Sequence, residues 1–216
     1  MSNELIRPID AETAKAIEEA AKLGSGIVDA AVKGGGYLDR VFGKLPDNLV
    51  GVLIGDWLVH KRVRRWVALQ ADTEAVLQMR GVARPYDEIS PSVAIPLIEA
   101  AIDEDRDGLK DLWARLLASA HDPERRSLVR PSVIAVLKSL DPLDAKLLSF
   151  LKTSHAGRVM ESDVTTNIAR DISASRDETG VSLAALLRLQ LAEAQSTSYY
   201  PYLTPMGRLL LAAVSD

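Results

Sequence analysis

The sequence predicts a mainly α-helical protein of 216 residues that ends in a winged-helix-like unit with a small β-hairpin. Apolar residues between Leu109 and Ala120 recur at i, i+3, i+4, i+7, i+8 and i+11, which is the spacing of one helix face. The stretch 90–144 adds two helix starts and an acidic cluster to this stripe. We therefore expect a glycine-rich helical region at 1–84, a central helical domain at 85–140 and a winged-helix-like domain at 141–216.

Composition limits the function classes. With 47% hydrophobic and 26% charged residues, the chain can bury a core. It has no cysteine, which excludes disulfides, thiolate catalysis and cysteine-ligated zinc and fits a reducing cytoplasm. A formal net charge of -4 provides no overall attraction for nucleic acid. The first twenty residues lack an apolar leader, so we expect a cytoplasmic protein, soluble or peripheral at the inner face of the membrane.

The region 1–84 is predicted to be helical and carries the local positive charge. A first helix is expected from Asp10 to Lys22, and Gly51 and Gly55 form a G-x-x-x-G pair suited to close packing. A long helix from Asp56 onward carries four cations, which are Lys61, Arg62, Arg64 and Arg65. This basic cluster could contact an anionic membrane or phosphates, or it could be solvated or pair with the acids at 103–107.

The acidic patch in the central domain imitates half of a calcium site. Asp103, Asp105, Asp107 and Gly108 match the start of a D-x-D-x-D-G loop. Ala114 stands where that loop needs a bidentate Glu, so we expect no calcium site and no other metal. The acids are predicted instead to cap and charge-stabilise the next helix.

That next helix is predicted to anchor the central core. Its apolar face contains Leu112, Trp113, Leu116 and Leu117. Glu99 lies among apolar neighbours just upstream, and we interpret it as a structural acid paired with Arg115 or another cation.

The region 141–216 contains signals for four helices and a hairpin. Asp141 is predicted to cap a helix beginning at Pro142, and a second helix is expected from Glu161 to Ile172. The segment R-D-E-T-G at 176–180 is expected to break the chain before a third helix that ends near Arg188. Strands at 191–195 and 199–203 then form a hairpin, and Thr204 and Pro205 begin a last helix through 214.

This order is similar to that of a winged-helix domain, a fold that often reads DNA. The third helix offers a single Arg after Asp177 and Glu178, and the unit has a formal charge of -2, so the charge argues against DNA. The hairpin tyrosines, Tyr199, Tyr200 and Tyr202, are candidates for packing or for contact with a partner.

An ordered set of motifs carries a resemblance to a known family. It comprises P-L-I-E-A-A at 96–101, the acidic patch, L-W-A-R-L-L-A-S-A at 112–120, D-P at 122–123, P-S-V-I at 131–134 and L-D-P-L-D-A-K at 140–146. From about Ser90 onward the chain resembles the abortive-infection alpha (Abi-alpha) family of bacterial phage-defence proteins. The resemblance implies a part in abortive infection, in which the infected cell is arrested or killed before phage can spread. It transfers no catalytic residue.

We therefore expect a non-enzymatic sensor or effector without a cofactor, acting through a protein partner or self-association. Membrane perturbation by the glycine-rich region could accompany this role. Two alternatives stay open, a winged-helix DNA-binding regulator and a metal-dependent nuclease built from scattered acids. The histidines His60, His121 and His155 lie far apart in sequence and indicate no metal or nucleophile motif.

Overall fold

Eight α-helices, a short 3-10 helix and one hairpin make up the part of the chain that the computed structural model describes, residues 57–83, 85, 89–153, 164–194 and 201–215. The helices are α1 (Trp57–Met79), α2 (Pro91–Asp103), α3 (Lys110–His121), α4 (Pro131–Lys138), α5 (Pro142–Thr153), α6 (Val164–Asp171), α7 (Arg176–Arg188) and α8 (Pro205–Val214). The 3-10 helix, Arg126–Leu128, lies between α3 and α4. Strands β1 (Ala192–Glu193) and β2 (Tyr202–Leu203) pair antiparallel, Ala192 opposite Leu203. The mainly helical fold class with a small C-terminal hairpin is thus confirmed.

Several sequence predictions concern residues outside this description. They include the helix from Asp10 to Lys22, the G-x-x-x-G pair, the side chains of His60 and Lys61, the residue His155, the helix start at Glu161, and the hairpin residues Tyr199 and Tyr200. All described residues belong to one compact unit. The division into three domains stays a prediction.

Helix α3 is the centre of this unit and is buried on most of its circumference. Helices α1, α2 and α8 and the 3-10 helix pack against it. Trp113, Leu116 and Leu117 are at most 1% exposed, which confirms them as core residues, whereas Leu112 is only half-buried. The helix tolerates burial on several sides because Ala114, Ala118 and Ala120 let neighbouring helices approach closely.

Four helices begin at a proline, those at Pro91, Pro131, Pro142 and Pro205. Proline suits the first helical position because the N–H it lacks would have no partner within the helix. At α8, the hydroxyl of Thr204 also accepts a hydrogen bond from the Gly207 N–H at 3.1 Å, which caps the helix as predicted.

The C-terminal elements follow the predicted order of three helices, a hairpin and a last helix. One prediction in this region is wrong. The R-D-E-T-G segment does not break the chain but forms the first turns of α7. Ser175 and Glu178 form a capping box there, each side chain bonding the backbone N–H of the other, so the helix begins before the apolar run. The winged-helix assignment itself stays a prediction.

Candidate functional site

The turn between α2 and α3, residues 104–109, contains a buried network of polar side chains. At its centre the side chain of Glu104 is only 4% exposed. Arg106 donates two side-chain hydrogen bonds to this carboxylate, from Nε to Oε1 and from Nη2 to Oε2, both at 2.8 Å. Its backbone N–H donates a third hydrogen bond to Oε1 at 2.9 Å. The indole N–H of Trp113 donates the fourth bond, to Oε2, at 3.2 Å. Four donors on one buried carboxylate make it a fixed structural anion.

Electrostatics at this pair agree with the geometry. Hydrogen bonds from the Arg106 side chain, with further donors from the Arg106 backbone and Trp113, lower the pKa of Glu104 from 4.5 to about 2, although burial opposes the change. The same pairing raises the pKa of Arg106. Sequence reasoning missed Glu104, because its chemistry depends on a turn that brings residues 104, 106 and 113 together.

Arg106 also links the turn to the start of α5. Its Nη1 donates to the Leu140 carbonyl at 2.8 Å and to Asp141 Oδ1 at 2.9 Å. Asp144 Oδ2 accepts from the Asp141 backbone N–H at 2.9 Å, closing the first turn of α5. Asp141 therefore begins the predicted helix while its carboxylate serves the neighbouring turn.

The basic cluster of α1 meets the acidic residues at the end of α2. Arg62 pairs with Asp103 through Nε on Oδ1 at 2.9 Å and Nη2 on Oδ2 at 3.1 Å. Arg65 donates to the carbonyls of Ile102 and Asp103 at 3.2 and 3.3 Å, and its Nη2 lies 3.6 Å from Asp105. A cation at the end of α2 satisfies carbonyls that lack helical partners. The intramolecular alternative for this cluster is confirmed for Arg62 and Arg65.

The predicted capping role of the acidic patch is wrong. Helix α3 begins after Leu109 without a side-chain cap, and Asp103 is the last residue of α2. Of the three acids, Asp107 lies nearest α3, and a hydrogen bond from Lys110 at 2.6 Å lowers its pKa. The chain turns between the helices at Gly108, which has a φ of +92°. The acids therefore serve separate basic partners.

Other predicted site residues lie apart from this turn. Glu99 is exposed, and Arg115, the first partner suggested for it, donates to Asp111 at 2.6 Å. His121 is fully buried on α3, consistent with a structural residue. Arg64 is exposed on α1. Among the residues that the structure describes, no group of three His, Cys, Asp or Glu side chains could hold a metal ion.

A shallow groove of about 800 Å³ runs beside the hairpin. Its floor is mostly apolar and includes Leu187 of α7, Ala192 of β1, and Pro205, Met206 and Leu209 of α8. Tyr202, one of the candidate partner residues, lies on β2 and is half-buried.

The third helix of the C-terminal unit, α7, presents a mixed outer face. Asp177, Val181, Ala184 and Arg188 are all exposed and follow i, i+4, i+7 and i+11 spacing. Val181 is 71% exposed, more than any other large apolar residue that the structure describes. Helix α1 also ends with an exposed apolar side chain, Met79 at 61%. No described helix is long and apolar enough to cross a membrane.

The described residues form a helical protein organised around one buried helix, with a buried carboxylate and several ion pairs near the turn between α2 and α3 and with exposed apolar residues on α1 and α7. Residues 67–204 match the family described as abortive infection alpha, more than half of the chain. The chain belongs to that family, and its general role is in phage defence by abortive infection. The match begins within α1, earlier than the motifs alone indicated. No curated protein and no solved structure matches the chain.

Proposed function

We propose that this chain acts in abortive infection through protein contacts and not through catalysis. The outer face of α7 is the observation that supports this proposal. It places two apolar residues, Val181 and Ala184, between one acid and one base, so the face has no net charge. The centre of a protein–protein interface is typically depleted of charge and offers apolar side chains that lose water on binding.

The same face argues against the DNA-binding alternative. If the C-terminal unit is a winged helix, α7 takes the position of its recognition helix. DNA binding by such a helix needs cations for phosphates and amides or cations for base edges. The first turn of α7 contains two acids, Asp177 and Glu178, which would repel phosphate, beside a single cation, Arg176. The chemistry of α7 therefore favours a protein as its partner.

The test is the substitution Val181→Asp, scored by phage yield in bacteria that express the full chain. Because Val181 is 71% exposed, we expect the melting temperature to change little while protection is lost. Met79→Asp is the matched control, since it places the same charge at another exposed apolar position of a helix. Full protection by the Val181 variant would contradict a role for this face.

A second candidate is contact between the basic end of α1 and an anionic membrane leaflet. Arg64 is exposed, and the side chains of Arg62 and Arg65 keep 32% and 20% of their surface in contact with solvent. Cations near an anionic surface contribute roughly 1 kcal/mol each, so a cluster could recruit the protein. The pairing of Arg62 and Arg65 with Asp103 and Asp105 competes with that attraction.

Vesicle binding tests this candidate in both directions. Replacing Lys61, Arg62, Arg64 and Arg65 together by Gln should weaken binding to anionic vesicles at low salt. Neutralising the competing acids with Asp103→Asn and Asp105→Asn should strengthen it. The melting temperature of both variants should be measured as well, because Arg65 donates hydrogen bonds to the last carbonyls of α2 and its loss could lower stability. A parent protein that ignores anionic vesicles at low salt removes the candidate.

A further inference from the structure

The exposed residues on the outer face of α7 have the same spacing in both directions along the helix, although their chemistry differs from one end to the other. Its exposed members, Asp177, Val181, Ala184 and Arg188, are spaced by four, three and four residues. The acid stands at one end, the base at the other, and the two apolar residues lie between them. Such a pattern is complementary to a reversed copy of itself.

We propose that a second copy of this chain packs on this face, with the two α7 helices antiparallel about a two-fold axis. The proposal rests on the proposed function and names its partner. In this arrangement Asp177 of one protomer faces Arg188 of its partner, and Val181 faces Ala184. A two-fold axis repeats each contact, so the interface contains two ion pairs around two buried valines.

Charge selects the antiparallel arrangement over the parallel one. Parallel helices would place Asp177 against Asp177 and Arg188 against Arg188, which are repulsive contacts. The other acid of the first turn, Glu178, already accepts from the backbone N–H of Ser175 at 3.0 Å in the capping box. Asp177 is therefore the acid of this turn that the interface uses.

Side-chain size fits the same arrangement. Val181 is 71% exposed and larger than the exposed Ala184, so the valine of one protomer can pack over the small alanine of its partner. Helix pairs interlock when large and small residues alternate in this way. From residue 177 to residue 188 the face is roughly 16 Å long, at about 1.5 Å per residue. Contact over so short a helix falls below the roughly 1,200 Å² of a standard interface, so the dimer is weak.

Sedimentation equilibrium of the full chain, up to several hundred micromolar, tests the proposal. The parent should form a dimer in a concentration-dependent way. Asp177→Arg and Arg188→Asp should each weaken dimerisation about tenfold or more, because each creates two like-charge contacts. The double variant restores both ion pairs with reversed sign, so its dissociation constant should return to within a few-fold of the parent. Glu74→Arg, an exposed charge reversal on α1, is the control for net charge.

The outcomes separate this inference from the proposed function. A parent that stays monomeric, or a folded double variant that fails to recover, overturns the α7 dimer. If the parent stays monomeric and Val181→Asp still abolishes protection, the face binds a different protein and the proposed function stands. If Val181→Asp breaks the dimer but leaves protection intact, the dimer is supported and the proposed function of the face is overturned. Far-UV circular dichroism of each variant checks that its helix content equals that of the parent.

Discussion

Replacing Glu104 by Gln should be among the most destabilising conservative changes in the described structure. The carboxylate accepts four hydrogen bonds, three from Arg106 and one from Trp113. The amide of Gln has nearly the same shape, but its NH2 group would face donors at one of the two oxygen positions. It would also leave the Arg106 guanidinium beside a neutral group.

The pKa of Glu104 gives the magnitude. One pKa unit corresponds to about 1.4 kcal/mol, so the drop from 4.5 to about 2 corresponds to about 3 kcal/mol of stabilisation at pH 7. This stabilisation is complete above the unfolded value and is lost as the pH falls through the folded value. The free energy of unfolding of the parent should therefore be higher than that of the Gln variant by about 3 kcal/mol at pH 7 and by about 2 kcal/mol at pH 3.5.

Urea unfolding followed by far-UV circular dichroism measures this difference at both pH values. Asp107→Asn is the matched control, because it neutralises a solvent-exposed acid of the same turn and should leave the urea midpoint unchanged. A difference below about 1 kcal/mol at pH 7 would refute the argument, since removing one partner of a buried pair typically costs 3 to 5 kcal/mol. If the difference in unfolding free energy is as large at pH 3.5 as at pH 7, the ionised carboxylate of Glu104 is not its source.

Three further predictions use other parts of the structure. Trp113→Ala should lower the free energy of unfolding by about 3 to 5 kcal/mol, measured by urea titration, because this ring is 1% exposed at the centre of the core; a melting temperature within a degree of the parent would contradict it. Gly207→Ala should lower the free energy of unfolding by about 1 to 3 kcal/mol or more, because the added Cβ would overlap the Leu191 carbonyl oxygen. In contrast, Gly180→Ala should be neutral or stabilising, because its added Cβ meets only a side-chain carbon, at 4.0 Å. Calorimetric titration with calcium should be silent, and saturable binding tighter than about 10 µM would restore the calcium-loop interpretation.

The spacing of apolar residues was sufficient to predict the helices, because the residues on the buried face of a helix recur with the period of the helix. The stripe of α3 predicted its buried face, and the Pro and Thr signals placed the starts of α5 and α8. The beginning of α7 was misjudged because glycine was read as a breaker. The capping box at Ser175 and Glu178 stabilises enough of the first turn for Gly180 to remain helical.

Polar partners were harder to predict, since they depend on how distant segments meet. Arg62 and Asp103 are 41 residues apart, and only the packing of α1 beside α2 brings them within 2.9 Å. The spacing of the acids indicated a possible role in the first turn of α3, yet the turn at Gly108 separates them from that helix. The apolar face of a helix can be predicted from local sequence, whereas the cation with which each acid pairs depends on tertiary contacts.

The acids of the segment 103–105 therefore fall into two groups, one buried and one exposed, and the two groups have different consequences for function. Glu104 is 4% exposed and bonded to Arg106 and Trp113, so exchanging its partners would expose a buried charge. Asp103 and Asp105 are 53% and 64% exposed, and water screens their pairs with α1. An anionic partner can therefore compete for the arginines of α1 at small cost while the buried Glu104 keeps α2 and α3 in place. The binding proposed for α1 and the stability of the core therefore depend on different acids of the segment 103–105.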